Sequence, residues 1–254
     1  MPTRQARPDK WLTRTPSPDS SARLFCIPYS GCGASMYRNW PVSVGGLEIC
    51  PVQLPGRENR MREKTFTSYE SLADELADGL LPYLDRPYGF FGHCSSALAA
   101  YEAVVRLEQR GQCAPERLFV SSQVAPHQGP YGRFLELTTV QLRQEIHRMM
   151  EGLGATPVPG LVDLTLEILQ SDIQVNRDYR VAEPVALPCP VTVIGWDQDV
   201  EVPAELMAGW SAYGTAVTEL LHGEHYGFME APLELLDVFV RDLVPADRPG
   251  VLPR

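Results

Sequence analysis

The chain has 254 residues, of which 44% are hydrophobic and 21% charged, as is typical of a globular protein with a substantial buried core. Its net charge of −10 argues against nucleic acid as a partner, and no apolar run approaches the roughly 18 residues needed to cross a membrane. Residues 1–20 are polar and lack the apolar stretch of a secretory signal. We therefore expect a flexible N-terminal segment, 1–20, ahead of one folded domain, 21–254, in a cytoplasmic monomer.

The cysteines point to a reducing compartment. There are six of them, spread through the chain without the paired spacing of metal ligands, and we expect them to be free thiols. Cys26, Cys50 and Cys113 lie in or beside apolar stretches, where a buried small hydrophobic residue is expected. No metal and no cofactor is predicted.

Short apolar runs alternate with helix-period segments, which is typical of an α/β fold with a mostly parallel sheet and helices on both faces. The predicted strands cover 23–27, 47–53, 88–91, 117–122, 191–195 and 215–221. The predicted helices of this alternation cover 35–42, 68–84, 96–110, 203–213 and 232–243.

The alternation stops between Pro126 and Pro188. Two helix-period segments, 138–150 and 161–179, lie here and are separated by several glycines and prolines. A helical insertion at about 128–187, ahead of the last strands, is in a position to cover an active site as a lid. The alternative is an extra packed layer without that role.

A candidate nucleophile follows the third predicted strand. Residues 88–92 form an apolar strand pattern ending in Gly92, then the sequence reads G-H-C-S-S around Cys94, and a helix begins. Strand, sharp turn and helix make up the nucleophile elbow of α/β-hydrolases, G-x-S-x-G, here with cysteine for serine and Ser96 at the last position. The helix N-terminus favours the thiolate, which is the nucleophilic form. The alternative is a buried structural cysteine.

The catalytic base of this fold is a histidine that follows the acid along the chain. Of the five histidines, only His222 and His225 come late enough. His225 is preferred because it lies further into the loop after the last strand, before an aromatic run, whereas His222 can equally be a surface residue. Their His-x-x-His spacing also fits a metal site, but no third ligand accompanies it.

The acid should follow the strand 191–195, where Asp197, Asp199 and Glu201 are candidates. Asp199 is preferred because it begins a D-x-x-V pattern whose valine, Val202, returns to the core. Its role would be to hold the imidazole in the correct tautomer and to stabilise the imidazolium. Asp197 is the alternative.

An oxyanion hole requires two backbone N–H groups. One should be that of Ser95, directly after the nucleophile. The other should come from the loop after the first strand, where glycines allow the backbone to approach a ligand. We favour the N–H of Tyr29, followed by that of Ser30.

A local basic segment, 57–64, stands out from the acidic chain. It contains Arg57, Arg60, Arg62 and Lys64 together with two acidic residues. A solvated loop is the simpler interpretation. The alternative is a docking patch for an acidic partner or a phosphate group.

Several motifs occur in a fixed order over about 24–240. They are L-F-C-I-P-Y-S-G at 24–31, V-Q-L-P-G-R-E at 52–58, F-G-H-C at 91–94, A-P-H at 125–127, and then Gly195, Asp199 and His225-Tyr226. Together they resemble the type II (editing) thioesterases that accompany polyketide synthases and nonribosomal peptide synthetases. The Q-L-P-G-R-E stretch is highly specific to that family.

The resemblance implies an α/β-hydrolase with a helical lid that docks against acyl or peptidyl carrier proteins and takes acyl or aminoacyl groups from their phosphopantetheine. By position, Cys94 corresponds to the family's serine, Asp199 to its aspartate and His225 to its histidine. The family usually has G-H-S-M-G where this chain has G-H-C-S-S. Cys32, between Gly31 and Gly33, replaces one of the usual glycine pair and brings a second thiol near the site.

Cysteine changes the energetics of the expected reaction. Attack of Cys94 on a pantetheine thioester gives another thioester, so the first step is nearly neutral in energy and reversible. Three hypotheses follow: a thioesterase that clears acyl groups from carrier proteins, an acyl- or aminoacyltransferase that passes them to another carrier or a small acceptor, and a non-catalytic carrier-binding protein. A complete set of Cys94, Asp199 and His225 argues against the last.

Overall fold

The structure is a computed structural model that describes residues 10–152 and 154–245. Within these residues a seven-stranded sheet has the order β2-β3-β1-β4-β5-β6-β7. Neighbouring strands are parallel except β2 and β3. The strands are β1 (Ala22–Cys26), β2 (Ser43–Val44), β3 (Leu47–Pro51), β4 (Tyr88–His93), β5 (Arg117–Ser121), β6 (Val191–Trp196) and β7 (Ala216–Leu221).

The helices complete the α/β-hydrolase fold that the sequence predicts. They are α1 (Tyr69–Leu80), α2 (Ser95–Gln109), α3 (Thr139–Gly152), α4 (Pro159–Asp178) and α5 (Leu233–Leu243). The side chain of Ser68 accepts the Ser71 N–H at the start of α1, and the Ser71 side chain accepts the Ser68 N–H, which is a capping box. None of the helices in the described part of the chain is long and apolar enough to span a bilayer.

The core lies on both faces of the sheet. Because side chains alternate along a strand, Phe25 and Phe90 join a cluster with α1 and α2, while Leu24 and Phe91 join a cluster with α5. Residues of α3 and α4 belong to the second cluster. The insertion is therefore packed onto the domain, and its function as a lid stays a prediction.

Two predicted helices differ in length from the structure, and a third, 203–213, is a 3-10 helix over Ala204–Tyr213. The segment 35–42 forms only a 3-10 turn, Ala34–Tyr37, because Pro41 disfavours helical backbone in the residue before it. The helix predicted over 68–84 ends as α1 at Leu80, since Pro82 has no N–H for an α-helical bond. The short strand β2 was not predicted because two residues are too few to show an alternation.

The expected N-terminal segment, 1–20, is only partly within the described residues, since 1–9 lie outside them. From residue 10 onwards the chain packs against the domain instead of remaining free. Trp11 is 3% exposed, and Leu12 forms an antiparallel bridge with Val52. Burial of these two apolar side chains stabilises the segment against the sheet edge.

All six cysteines have free thiols. Cys26 and Cys50 are buried, as predicted. The prediction for Cys113 was wrong, because it is exposed in the loop between α2 and β5. An apolar neighbourhood in sequence does not fix burial in a loop, where side chains follow no strand or helix face.

Candidate active site

Cys94 lies in a strained turn between β4 and α2. Its φ of 54° and ψ of −135° are unusual for a residue other than glycine. A Cβ at Gly92 would come 2.4 Å from the carbonyl oxygen of Ser96, so only glycine fits there. Ser96, at the position usually held by glycine, accepts the His93 N–H through its hydroxyl at 2.9 Å. The backbone therefore has the nucleophile elbow geometry that the sequence predicts.

The structure brings His225 and Asp199 together at the carboxyl ends of β7 and β6. Nδ1 of His225 lies 2.9 Å from Oδ2 of Asp199, and both side chains are buried. Ser122 donates its hydroxyl to the same Oδ2 at 2.7 Å, and the Glu201 and Val202 N–H groups donate to Oδ1 at 2.8 and 2.9 Å. This set of donors holds a buried carboxylate in one orientation.

The electrostatics of this pair favour charge on both partners. Burial lowers the pKa of His225, but the hydrogen bond with Asp199 and the neighbouring Cys94 outweigh it and raise that pKa to about 10. Burial raises the pKa of Asp199, and its bonds with His225, Val202 and Ser122 bring it below its usual value. Nε2 of His225 is buried without a hydrogen-bond partner among the described residues, which leaves this nitrogen available to a reacting group.

The alternative residues His222 and Asp197 pair with each other at the surface. Their Nδ1 and Oδ2 atoms are 3.0 Å apart, and both side chains are exposed. His222 and His225 thus have separate carboxylate partners and do not converge. Among the described residues no group of three or more metal-ligating side chains is placed to hold a metal ion.

The loop after β1 differs from expectation in one donor. The Tyr29 N–H, which the sequence favours for the oxyanion hole, donates to Sδ of Met36 at 3.1 Å. In the described part of the chain the N–H groups of Ser30 and Ser95 have no hydrogen-bond acceptor. The hydroxyls of Ser30 and Ser95 are hydrogen-bonded to each other, which ties this loop to the start of α2.

The helix α4 is joined to the oxyanion loop by a buried ion pair. Arg57 donates to both carboxylate oxygens of Asp172 at 2.8 and 2.9 Å, and Asp172 also accepts the Gly31 N–H at 2.8 Å. Arg57 and Arg60 are 2% and 3% exposed, and Arg60 pairs with Glu63. Both interpretations of the segment 57–64, a solvated loop and a docking patch, are therefore wrong for these two arginines.

The ring of His93 is packed against the aromatic residues of the site. It stacks on Phe228 at 4.0 Å between ring centroids and lies 4.6 Å from the His225 ring. Burial, and then the proximity of His225, lower the pKa of His93 well below its usual value. A neutral His93 therefore packs against His225 without competing with it for the Asp199 carboxylate.

The cavity beside Cys94 is small. It is about 10 Å³, which is space for roughly one water molecule. Its wall includes three side chains to which sequence reasoning gave no binding role: Arg133, Asn176 and Glu201. Glu201 was considered only as a triad acid, and no motif marks the other two, since α4 and the segment ahead of α3 meet Cys94 only in the folded chain.

A larger cavity of about 350 Å³ lies between α3 and the loop that follows His225. Its wall includes Arg148, Met149, Tyr226 and Met229. Arg133 lines both this outer cavity and the small one at Cys94. Arg133 is therefore part of the wall of both spaces.

The thioesterase domain family matches residues 22–239. The chain belongs to the thioesterase family. A curated relative, linear gramicidin dehydrogenase LgrE of Brevibacillus parabrevis, is 32% identical over 247 residues, which cover 90% of each protein. That relative is named a dehydrogenase. In this chain the turn that contains Gly31 and Gly33 has Met36 where a dinucleotide-binding G-x-G-x-x-G motif has its third glycine.

Solved thioesterases share the fold. RedJ, from the prodiginine pathway of Streptomyces coelicolor, is 32% identical with a TM-score of 0.78, over 95% of this chain and 97% of that one. The type II thioesterase BorB from the borrelidin cluster is 26% identical with a TM-score of 0.78, over 93% and 98% of the two chains. The α/β-hydrolase fold and the thioesterase family are thus confirmed.

Proposed function

We propose that this thioesterase is a type II enzyme that cleaves acyl and aminoacyl thioesters from the phosphopantetheine of carrier proteins in polyketide or nonribosomal peptide biosynthesis. The observation that carries the proposal is Cys94 in a nucleophile elbow beside His225, whose Nδ1 is bonded to the buried Asp199 at 2.9 Å. The similar thioesterases RedJ, from the prodiginine biosynthetic pathway, and BorB, from the borrelidin biosynthetic cluster, support a type II thioesterase of such a pathway. Cytoplasmic location and a monomeric state stay predictions.

In the first step the Cys94 sulfur attacks the thioester carbonyl carbon. The oxyanion that forms accepts hydrogen bonds from the N–H groups of Ser95 and Ser30, the two unpaired donors beside Cys94. When the intermediate collapses, the bond to the pantetheine sulfur breaks and that sulfur takes a proton from Nε2 of His225. The acyl group remains on Cys94 as a thioester, and the carrier leaves as a free thiol.

In the second step a water molecule attacks the Cys94 thioester. Formation of the acyl-enzyme removes the thiolate charge that helps to hold the proton on His225, so the neutral imidazole can accept a proton from this water. The carbon–sulfur bond to Cys94 then breaks, and the free acid leaves. Asp199 keeps Nε2 directed towards the reaction throughout, because it binds Nδ1.

Substrate entry requires movement of the insertion. A cavity of about 10 Å³ at Cys94 cannot hold an acyl chain. The outer cavity of about 350 Å³ is large enough to take part of the pantetheine arm, and it shares Arg133 with the small cavity at Cys94. Displacement of Arg133, together with α3, would join the two spaces, which is how we expect the insertion to act as a lid.

Acyl transfer is the second candidate, and the cysteine itself favours it. A thioester on Cys94 has nearly the energy of the pantetheine thioester, so a second thiol or an amine can accept the acyl group almost as readily as Cys94 did. A serine would form an oxygen ester, from which return to a thiol is unfavourable.

The two activities are separated by following a radiolabelled acyl group from a loaded carrier protein, with and without a second, unloaded carrier. We expect the label to appear mainly as free acid and a Cys94-bound acyl species to be visible by mass spectrometry. Label that moves to the second carrier would instead establish transfer.

Two cysteine variants complete this experiment. Cys94→Ala should abolish both the label release and the covalent species, whereas Cys113→Ala, at an exposed free thiol, should leave both unchanged. If the unaltered protein releases no label and forms no acyl species, both enzymatic proposals fail and only carrier binding remains.

A further inference from the structure

Two hydrogen-bond acceptors meet at the cavity beside Cys94. Asn176 lies on α4, and Glu201 lies in the loop after β6, and both line this cavity. Neither residue belongs to the proposed Cys94, His225 and Asp199 machinery. Their polarity therefore needs a separate explanation.

Asn176 contributes an unpaired oxygen. The residue is 6% exposed, and its Nδ2 donates to the carbonyl oxygen of Tyr131 at 3.1 Å. Because a carbonyl can only accept, this bond fixes the amide orientation and leaves Oδ1 as the remaining group. Oδ1 is buried and has no hydrogen-bond partner among the described residues. A buried acceptor without a partner is costly, which indicates that a donor belongs there.

Glu201 contributes a carboxylate next to the reacting groups. Its Oε1 accepts from Arg133 at 2.7 Å, and its Oε2 lies 3.7 Å from Nε2 of His225. Since Nε2 faces the reaction, Oε2 lies within reach of a substituent on the carbon next to a thioester carbonyl held on Cys94. Its side chain is 12% exposed, so water screens this charge only weakly.

We propose that Glu201 and Asn176 form a subsite for the ammonium group of an aminoacyl chain, so that the preferred substrates are thioesters with a free amine next to the carbonyl. This inference rests on the proposed function, whose substrate class it narrows. An ammonium group has three donors and no acceptor, which complements a carboxylate oxygen and an amide oxygen.

The other charges around the cavity are compatible with a bound cation. Arg133 is positive, but it is hydrogen-bonded to Glu201 and also to Glu145, which is 3% exposed. Two largely buried carboxylates thus share Arg133, and the second cation on Glu145 is the exposed Arg148. His225 lies next to both Asp199 and Glu201, and it is neutral once Cys94 carries the acyl group. The wall near Glu201 therefore retains negative charge for a cation to neutralise.

The test compares two thioesters of nearly the same shape. The alanyl thioester of pantetheine has an ammonium group where the isobutyryl thioester has a methyl group. The ratio of kcat/KM for the alanyl substrate to kcat/KM for the isobutyryl substrate is measured for each protein. Their intrinsic reactivities are the same whichever protein is present, so a change in the ratio between proteins reports the subsite alone. We expect Glu201→Gln to lower the alanyl-to-isobutyryl ratio about tenfold or more.

We expect two variants at Asn176 to change the alanyl-to-isobutyryl ratio in opposite directions. Asn176→Asp and Asn176→Leu both lose the Nδ2 bond to Tyr131, so the loss of that bond is common to the two variants. The added carboxylate should raise the ratio, and leucine should lower it. Glu205→Gln, an exposed carboxylate nearby in the chain, should leave the ratio unchanged. A ratio that stays the same in Glu201→Gln and in both Asn176 variants overturns the proposal.

A binding measurement keeps the inference separate from catalysis. Amide-linked alanyl- and isobutyryl-pantetheine analogues cannot acylate the enzyme, and calorimetry with Cys94→Ala protein gives their dissociation constants. We expect the alanyl analogue to bind about tenfold more tightly, and Glu201→Gln to remove the difference. Equal affinities overturn the subsite even if hydrolysis is found. Preferential binding without any turnover supports the subsite and contradicts the proposed function instead.

Discussion

Two histidine–aspartate pairs join the loops after β6 and β7, and they differ mainly in burial. The Nδ1–Oδ2 distance is 2.9 Å between His225 and Asp199 and 3.0 Å between His222 and Asp197. The side chains of the first pair are 5% and 0% exposed, and those of the second are 73% and 41% exposed. The same interaction thus occurs twice, once in the interior and once in water.

The comparison shows what burial adds to such a pair. Water can solvate the Asp197 carboxylate directly. In addition, the Gly223 N–H donates to Oδ1 of Asp197 at 3.0 Å. Asp199 has lost that solvation, and Ser122 and two backbone N–H groups replace it. Weak screening then lets the charge of Asp199, together with that of Cys94, hold a proton on His225, while for the exposed pair the same contact contributes little.

The largest expected difference is in turnover. His225→Gln should lower kcat/KM for a carrier-bound thioester by about a thousandfold or more, because the proton-transfer group is lost. His222→Gln should change it by less than about twofold, since the exposed ring is not part of the site. Steady-state hydrolysis assays of the two variants measure this. Circular dichroism should show both to be folded, and equal losses in the two variants would remove the distinction between the pairs.

A smaller loss of activity is expected when the hydroxyl donor of the buried pair, that of Ser122, is removed. Ser122→Ala leaves Asp199 with its two backbone donors and should lower kcat/KM about three- to thirtyfold, as expected for one hydrogen bond to a buried charge. The pH profile should also shift, since Asp199 would then accept a proton more readily.

Ser211→Ala is the matched control, because this exposed hydroxyl bonds to the backbone of its own helical turn. If Ser122→Ala lowers the stability without shifting the pH profile of activity, the Ser122 hydroxyl stabilises the fold and has no role in catalysis.

Much of the sheet was predictable because its central strands are buried on both faces. Strands such as β1 and β4 are mostly apolar runs, and such runs identify buried strands. The order nucleophile, acid, histidine then limited the candidates, and the structure brings His225 and Asp199 together as that order requires. Their catalytic roles stay predictions.

The features of the site that the sequence did not predict depend on contacts between distant parts of the chain. Arg57 and Asp172 are 115 residues apart, so no local pattern could show that an arginine of the basic segment is buried in an ion pair with a helix of the insertion. The Tyr29 N–H donates to the Met36 sulfur because the loop folds back on itself, and composition does not predict that conformation. Asn176 reaches the cavity only because of how α4 packs.

The smallest effect concerns the pH dependence of stability. The pKa of His225 is about 10 in the folded protein against an ordinary value of about 6.5, so the stabilisation from its proton is complete below pH 6.5 and is lost as the pH rises towards 10. The pKa of Asp199 is lowered, so its contribution is present above its ordinary value and is lost on acidification.

Urea unfolding of the unaltered protein and of His225→Gln, at several pH values between about 5 and 10, measures this dependence. The difference between their free energies of unfolding should be largest at about pH 5 to 6.5 and should shrink on the alkaline side. For His222→Gln the raised pKa of an exposed histidine predicts a change of the same sign but much smaller, because solvent screens the pair. A difference for His225→Gln that stays constant with pH would show that the buried pair is no more strongly coupled than the exposed one.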